Sequence, residues 1–292
     1  MINPIKLIGN ACTSFVGKLS EIKETLFPSN LFFNKYENKL RHFRVIADKI
    51  SGGGQFGEPH IIQIQKIVGL EKKLLIIDLR EESHGLINGL PVSWNNSEKF
   101  ANIAKSAVEI KADEQKRFAA LPRICFIWAK IKFFGKKFHI RLPTFISSKS
   151  TEEDVVKKAG LEYHRIPITD LDKPTDATVD KIINLINSNP NAWLHFHCYV
   201  GKGRTTTILA MHEMLKNAKT RTFNEIIKEQ KEKDGEDLLK ISFQADGKVK
   251  PKHKNNAARL DFLKSFYSYC RTENPSSKSW LEWVSSTEKK ST

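Results

Sequence analysis

Between residues 74 and 79 the chain reads Leu-Leu-Ile-Ile-Asp-Leu, apolar at every position but one. Such a run suits a strand buried on both faces, and the polar stretch 80–85 marks its C-terminal end. Residues 163–168 and the short run 193–196 predict two more strands. Phe100, Ile103, Ala104, Ala107 and Val108 recur at helical spacing and predict a helix over 97–120, capped by Ser97. The capping-box pattern Thr151-Glu152-Glu153-Asp154 opens another over 151–159. Further helices are predicted over 176–187, 205–216, 222–234 and 257–270. Residues 121–149 have a different texture. Two basic, aromatic-rich, strand-like runs, 124–134 and 137–145, are split by Gly135 and predict a small β-rich unit. The lysine-rich stretch 246–256 reads as a loop, and 285–292 as a short polar tail. Residues 1–30, punctuated by Gly9, Gly17 and Pro28, read as a peripheral helical or poorly ordered lead-in. The alternation of strands and helices implies an α/β fold. The expected organisation is a lead-in over 1–39 and a main domain over 40–292, with a β-rich insert at 121–149 inside it.

Composition narrows the class. The chain has 292 residues, 40% hydrophobic and 28% charged, in the range of a soluble globular domain. No apolar run approaches the ~18 residues of a membrane span. The first ten residues lack an apolar core and a small-residue cleavage site, so no signal peptide is expected. A cytoplasmic protein, or one exported as a bacterial effector by a specialised route, fits that. Lys and Arg number 48 against 33 Asp and Glu, a formal charge of +15. That excess favours polyanionic partners: nucleic acid, an anionic membrane surface or a heavily phosphorylated metabolite. The four cysteines, Cys12, Cys125, Cys198 and Cys270, are scattered without a C-x-x-C pair. This argues against structural disulfides and against a zinc site.

One cysteine stands in a motif. The segment His197-Cys198-Tyr199-Val200-Gly201-Lys202-Gly203-Arg204-Thr205 lies between a predicted strand and a predicted helix. Cys-x5-Arg alone is a weak pattern; two glycines in the gap, His before Cys and Thr after Arg make it specific. The chemistry needs these residues. A phosphate dianion requires many donors at once, and a tight loop entering a helix N-terminus turns successive N–H groups inward. Tyr199, Val200, Gly201, Lys202 and Gly203 supply that backbone, with the glycines permitting the curl. Arg204 offers a planar fork for two phosphoryl oxygens. The same positive field favours the Cys198 thiolate. His197 is expected to brace the loop, and the Thr205 hydroxyl to stabilise the sulfur as a leaving group. A Walker-type nucleotide loop would need Ser or Thr after Gly-Lys; here Gly203 and Arg204 follow Lys202. A thiolate that expels an alkoxide also needs an acid from a neighbouring loop. Residues 169–174, Thr-Asp-Leu-Asp-Lys-Pro, supply two candidates, Asp170 first and Asp172 second. Their strand is expected to bring this loop beside the cysteine if the two strands pair.

At this point the chain resembles the bacterial protein-tyrosine-phosphatase-like inositol polyphosphatases, the cysteine phytases. Three blocks carry the resemblance: Asp78-Leu79-Arg80-Glu81-Glu82-Ser83-His84-Gly85 with Gly89-Leu90-Pro91-Val92-Ser93-Trp94; Ala192-Trp193-Leu194-His195-Phe196-His197-Cys198; and the helix end Met214-Leu215-Lys216-Asn217. Phe43-Arg44, residues 51–56 and Trp280-Leu281-Glu282-Trp283 fit less specifically. The resemblance runs from about residue 40 onward. It implies a mixed sheet flanked by helices with a small inserted β-barrel-like domain. It implies metal-free hydrolysis of inositol hexakisphosphate and lower inositol phosphates, with no cofactor and no nucleic-acid partner. Asp170 matches the family's general-acid position, and Asp78, Arg44 and His84 match motifs near the substrate pocket. Two departures stand out. Lys173 precedes Pro174 where an aromatic is often found, and Lys202 adds a charge to the phosphate loop, as in phosphoinositide 3-phosphatases of the tensin-homologue type. The alternative activities are therefore a phosphoinositide lipid phosphatase at a membrane surface and a protein tyrosine phosphatase. A binding module without turnover is the remaining class.

Overall fold

The computed structural model describes residues 31–33, 39–94, 102–133, 136–241, 249, 254–272 and 278–291. Two sheets organise the chain. The first has five strands: β2 (Arg44–Ala47), β3 (Ile50–Gly54), β4 (Leu74–Arg80), β10 (Glu162–Ile168) and β11 (Trp193–Cys198). Their order is β10-β4-β11-β3-β2, parallel except for the antiparallel β2–β3 pair. β11, which ends at Cys198, is thus central.

Alternation along the strands sorts their side chains to two cores. Leu75, Ile77 and Leu79 of β4, with Leu194, Phe196 and Cys198 of β11, join the larger core. That core is covered by α4 (Asp176–Ser188), α5 (Gly203–Asn217), α6 (Phe223–Glu232), α7 (Lys254–Thr272) and the start of α8 (Trp280–Ser291). Leu74, Ile76 and Trp193 face the other way, onto α1 (Glu58–Val68) and α3 (Glu152–Lys158). By the same alternation His195, His197 and Asp78 lie on that second face, opposite the cysteine.

The second sheet has the order β8-β7-β1-β6-β5-β9. Residues 124–145 form its hairpin, β7 (Ile124–Phe133) and β8 (Lys136–Phe145). The other strands come from outside the expected insert or its border: β1 (Leu31–Phe33), β5 (His84–Ile87), β6 (Leu90–Trp94) and β9 (Lys149–Ser150). Among the described residues β8 and β9 are its edges. A strand at 31–33, inside the expected lead-in, is explained by Leu31, which is fully buried in the apolar cluster of this sheet. Residues 1–30 and 34–38 lie outside the described residues, as do Ser97, Phe100 and most of 246–256.

The helix expected over 97–120 begins later, as α2 (Ala107–Ala120). Asn102 and Ala104 adopt positive φ of 68° and 62°, which no helix accommodates. Ser106 is the cap instead, in a capping box with Glu109. Val108, counted on the apolar stripe, is 77% exposed. The capping box at Thr151 is formed, with Asp154 as its partner. The tail read at 285–292 is helical to Ser291 in α8. No helix among the described residues is long and apolar enough to cross a membrane.

Candidate active site

β11 delivers Cys198 to the C-terminal edge of the first sheet, and α5 starts five residues later. Gly201 turns the chain at φ 87° and fits against the backbone of Gly53 and Gly54. α2, α3 and α6 have side-chain N-caps; α5 has none. Its first-turn N–H groups are left facing the loop. The Gly201 N–H donates to Cys198 Sγ at 3.3 Å. Thr205 Oγ1 lies 3.2 Å from Sγ and 3.2 Å from the Gly53 carbonyl, two acceptors for one hydroxyl proton. Burial pushes the Cys198 thiol up, but the Arg204 charge, the Thr205 hydroxyl and the loop N–H groups outweigh it and bring the pKa below its ordinary value.

Arg204 is buried and already oriented. Its Nη1 and Nη2 donate to the two oxygens of Glu82 at 2.8 and 3.0 Å, and Nη1 also reaches the Ile168 carbonyl at 3.1 Å. Glu82 in turn accepts from Arg80 Nε at 2.8 Å. Burial would raise the Glu82 pKa; the two guanidinium groups hold it far below the carboxylate range instead. Arg80 continues outward to Gln55 and Ser93. Tyr199 is flanked by two guanidinium groups, those of Arg41 at 5.8 Å and Arg80 at 5.4 Å from its ring centre.

The acid loop follows β10. That strand pairs with β4, not with β11, so the expected direct pairing is replaced by one intervening strand. The loop still reaches the site: Asp170 Oδ1 lies 3.2 Å from Arg204 Nη2. Asp172 turns away, its Oδ1 accepting from the Lys173 N–H at 2.7 Å. Of the two candidates, Asp170 is the one placed at the loop.

The remaining expected residues fall elsewhere. Arg44 does not enter the mouth. It straps the back of the phosphate loop, donating to the Gly201 carbonyl at 2.8 Å and to Thr206 Oγ1 at 2.9 Å. Lys202 is held by the end of α6, with Nζ donating to Asp234 Oδ1 at 2.8 Å, the Asp234 carbonyl at 2.7 Å and the Gly235 carbonyl at 3.1 Å. Asp78 and His84 are buried on the face opposite Cys198, because strand alternation sends Asp78 there. They belong to a charged web. Asp78 Oδ2 accepts from Arg165 Nε at 2.7 Å and from the Tyr163 hydroxyl at 2.8 Å; Arg165 Nη2 donates to Glu114 at 2.9 Å. His84 lies 3.4 Å from Asp78 and 3.5 Å from Glu152. His197 Nε2 stands 2.8 Å from Glu152 Oε1. Burial would lower the His197 pKa, but Glu152 and Asp78 outweigh it and raise it above its ordinary value. Its neighbour His195 is kept neutral, with burial bringing its pKa down to about 3.

Asp78, His84 and Glu152 bring ligand atoms within 4.8 Å of one another, a spacing that a cation could bridge. The Arg165 guanidinium already supplies positive charge there, on Asp78 Oδ2. Of the four lysines at 248, 250, 252 and 254 in the stretch read as a loop, Lys254 starts α7 and the other three lie outside the described residues.

Four residues of the site carried no role in the sequence reading: Glu82, Glu152, Arg165 and Arg259. Arg259, on α7, is buried and donates through Nε to the Asp172 carbonyl at 3.2 Å. The signal for it was an arginine inside the apolar stripe Leu260, Phe262, Leu263, Phe266. For Glu82 the signal was an acid two residues beyond an arginine at a strand end.

The chain is similar to known proteins. A family model for PTP-like phytases, described by inositol hexakisphosphate, matches residues 136–216. A PTP-like phytase structure from Bdellovibrio bacteriovorus is 34% identical with a TM-score of 0.72; the match covers 87% of this chain and 94% of that one. The PTP-like myo-inositol phosphatase of Mitsuokella multacida, in complex with myo-inositol-(1,3,4,5)-tetrakisphosphate, is 28% identical with a TM-score of 0.78, over 89% of this chain and 48% of that one. Effector protein hopD2 of Pseudomonas syringae pv. tomato is 31% identical over 226 residues, 72% of this chain and 46% of the relative. The chain thus spans about half the length of the Pseudomonas and Mitsuokella relatives.

Proposed function

This chain belongs to the PTP-like phytases, and on that footing we propose that it is a cysteine-dependent phosphomonoester hydrolase acting on inositol polyphosphates such as inositol hexakisphosphate, without a metal. One observation carries the reading: Cys198 Sγ receives the Gly201 N–H and the Thr205 hydroxyl while Arg204, fixed by Glu82, has Asp170 at 3.2 Å. Nucleophile, oxyanion grip and acid meet at one sheet edge.

The reaction runs in two displacements. Cys198 Sγ bonds to phosphorus as the P–O bond to the inositol breaks, and the Asp170 proton passes to the leaving oxygen. The equatorial oxygens rest on Arg204 and the loop N–H groups, which neutralise the developing charge. A water oxygen then bonds to phosphorus, the P–S bond breaks, and the water's proton returns to Asp170. Thr205 stabilises the departing thiolate. Arg44 and His197 keep the loop in shape between turnovers.

The test is phosphate release from inositol hexakisphosphate in EDTA. Wild type is expected to release phosphate and Cys198→Ser to release none, because a serine hydroxyl in the same field stays protonated near neutral pH. Release by Cys198→Ser at the wild-type rate, or loss of wild-type activity in EDTA, overturns the mechanism. No release by wild type, with activity on phosphoinositide vesicles, moves the substrate to lipid headgroups.

A further inference from the structure

The acid loop is gripped by helices that come later in the chain. Arg259 on α7 reaches it through Nε, which donates to the Asp172 carbonyl at 3.2 Å. The same guanidinium lies flat on Gly203: a Cβ there would stand 2.7 Å from Nη1 and 2.8 Å from Cζ. One side chain therefore spans the acid loop and the residue next to Arg204. One turn further along α7, Phe262 presents its ring to Lys173, with Nζ 6.0 Å from the ring centre. Phe262 is held edge-on by Trp280 of α8 at 5.8 Å. Trp280 closes the far end of the loop, its Nε1 donating to Asp176 Oδ1 at 2.7 Å and its N–H to Asp180 Oδ1 at 2.8 Å.

The loop needs such a frame. Leu171, directly after Asp170, is a non-glycine residue at φ 67°, a conformation that costs energy unless the surroundings hold it. Within the loop the turn is closed by one backbone bond, Asp172 N–H to the Thr169 carbonyl at 3.2 Å.

We propose that Arg259 is a positioning residue for the general acid: it ties the acid loop to the phosphate loop and so fixes Asp170 over Arg204. The role demands arginine, since Nε must bond the loop while the planar fork stacks where Gly203 leaves room. It also accounts for Gly203, as any side chain there would displace the guanidinium. The electrostatics agree. Burial lowers the Arg259 pKa, and the charges of Asp170 and Cys198, acting across the site, raise it.

The proposal rests on the mechanism above and is tested on two substrates. Inositol hexakisphosphate leaves an alkoxide that needs the proton from Asp170; p-nitrophenyl phosphate leaves a phenolate that does not. Arg259→Gln is expected to lower kcat on the inositol ester by at least about tenfold more than on the aryl ester, within the ~10²–10⁴-fold that a placed acid supplies. Asp170→Asn combined with Arg259→Gln is expected to be no slower on the inositol ester than Asp170→Asn alone. Equal losses on both substrates, a change confined to KM, or additive losses in the double variant overturn the proposal. If Arg259→Gln fails the thermal-unfolding control, Arg259→Lys, which keeps the charge on a single donor nitrogen but loses the flat fork, is put through the same comparison. Wild type that turns over the aryl ester but not inositol hexakisphosphate overturns the substrate assignment instead, before any variant is compared.

Discussion

At the scale of single residues, the site depends on charges that would be intolerable alone. His197 and Glu152 are both buried 2.8 Å apart, and each shifts the other towards its charged form. Burial alone would lower the His197 pKa; Glu152 raises it above its ordinary 6.5. A raised histidine contributes fully below ~6.5 and loses the contribution as pH rises through its folded value. Burial alone would raise Glu152, yet its pKa falls from 4.5 to about 2, chiefly through His197. A depressed carboxylate contributes above ~4.5 and loses the contribution as pH falls towards 2. The pair is therefore strongest between those limits. Glu152→Gln is expected to cost about 3 kcal/mol near pH 5.5, measured by urea unfolding. The difference from wild type should shrink at either side of the window; a pH-independent difference would mean that the two residues do not ionise together. Cys198, Arg204 and Thr205 were legible in the sequence because one short loop contains them. Glu82, Glu152 and Arg259 were not, because each comes from a segment that only folding brings near. Lys202 shows the converse. Its place in the loop suggested a phosphate ligand, yet Asp234, 32 residues on, has claimed it.

At the scale of elements, the strand that matters most was the least visible. Residues 50–54, Ile-Ser-Gly-Gly-Gly, carried no strand prediction, yet they form β3 beside the cysteine strand. Glycines weaken strands, so propensity pointed the wrong way. Their use is close approach: a Cβ on Gly52 would stand 2.6 Å from Thr205 Cγ2 and 2.7 Å from Leu209 Cδ1. Gly52→Ala is expected to destabilise the fold by about 1–3 kcal/mol and to lower kcat, because the displaced helix carries Thr205 away from the sulfur. On Gly53 the nearest atom to a new Cβ is the Arg41 carbonyl oxygen at 3.4 Å. Gly53→Ala should then be much milder, and equal unfolding midpoints and kcat values for the two variants would refute this account. The departure at Lys173 finds its answer at this scale too. The aromatic partner comes from Phe262 on α7, and the loop supplies the cation. The long apolar strand β4 and the capping box of α3 were plain from pattern alone.

At the scale of the whole molecule, the surplus of basic residues acts at a distance. Arg44, Arg80, Arg165, Arg204 and Arg259 are buried or nearly so and have partners inside. Much of the formal +15 is left for lysines on the surface. Such a field steers anions, and its reach falls from ~30 Å to ~8 Å as salt rises from 0.01 to 0.15 M. kcat/KM for inositol hexakisphosphate should fall several-fold more steeply over that range than kcat/KM for p-nitrophenyl phosphate. Parallel slopes would mean that the net charge plays no part in capture. The α/β class was readable from alternation, and the mixed sheet between helices from the family resemblance. The second sheet was readable only at its hairpin, since its other strands are two to five residues long and three of them lie far from it in sequence. The charged web behind the nucleophile has one more consequence, for descent. Asp78, His84, Glu114, Glu152, Arg165 and His197 lie within ion-pair distance of one another, so that exchanging one alone unbalances its neighbours. Where natural relatives differ at one of these positions, the neighbours should differ with it, so that the web passes down as a single heritable character.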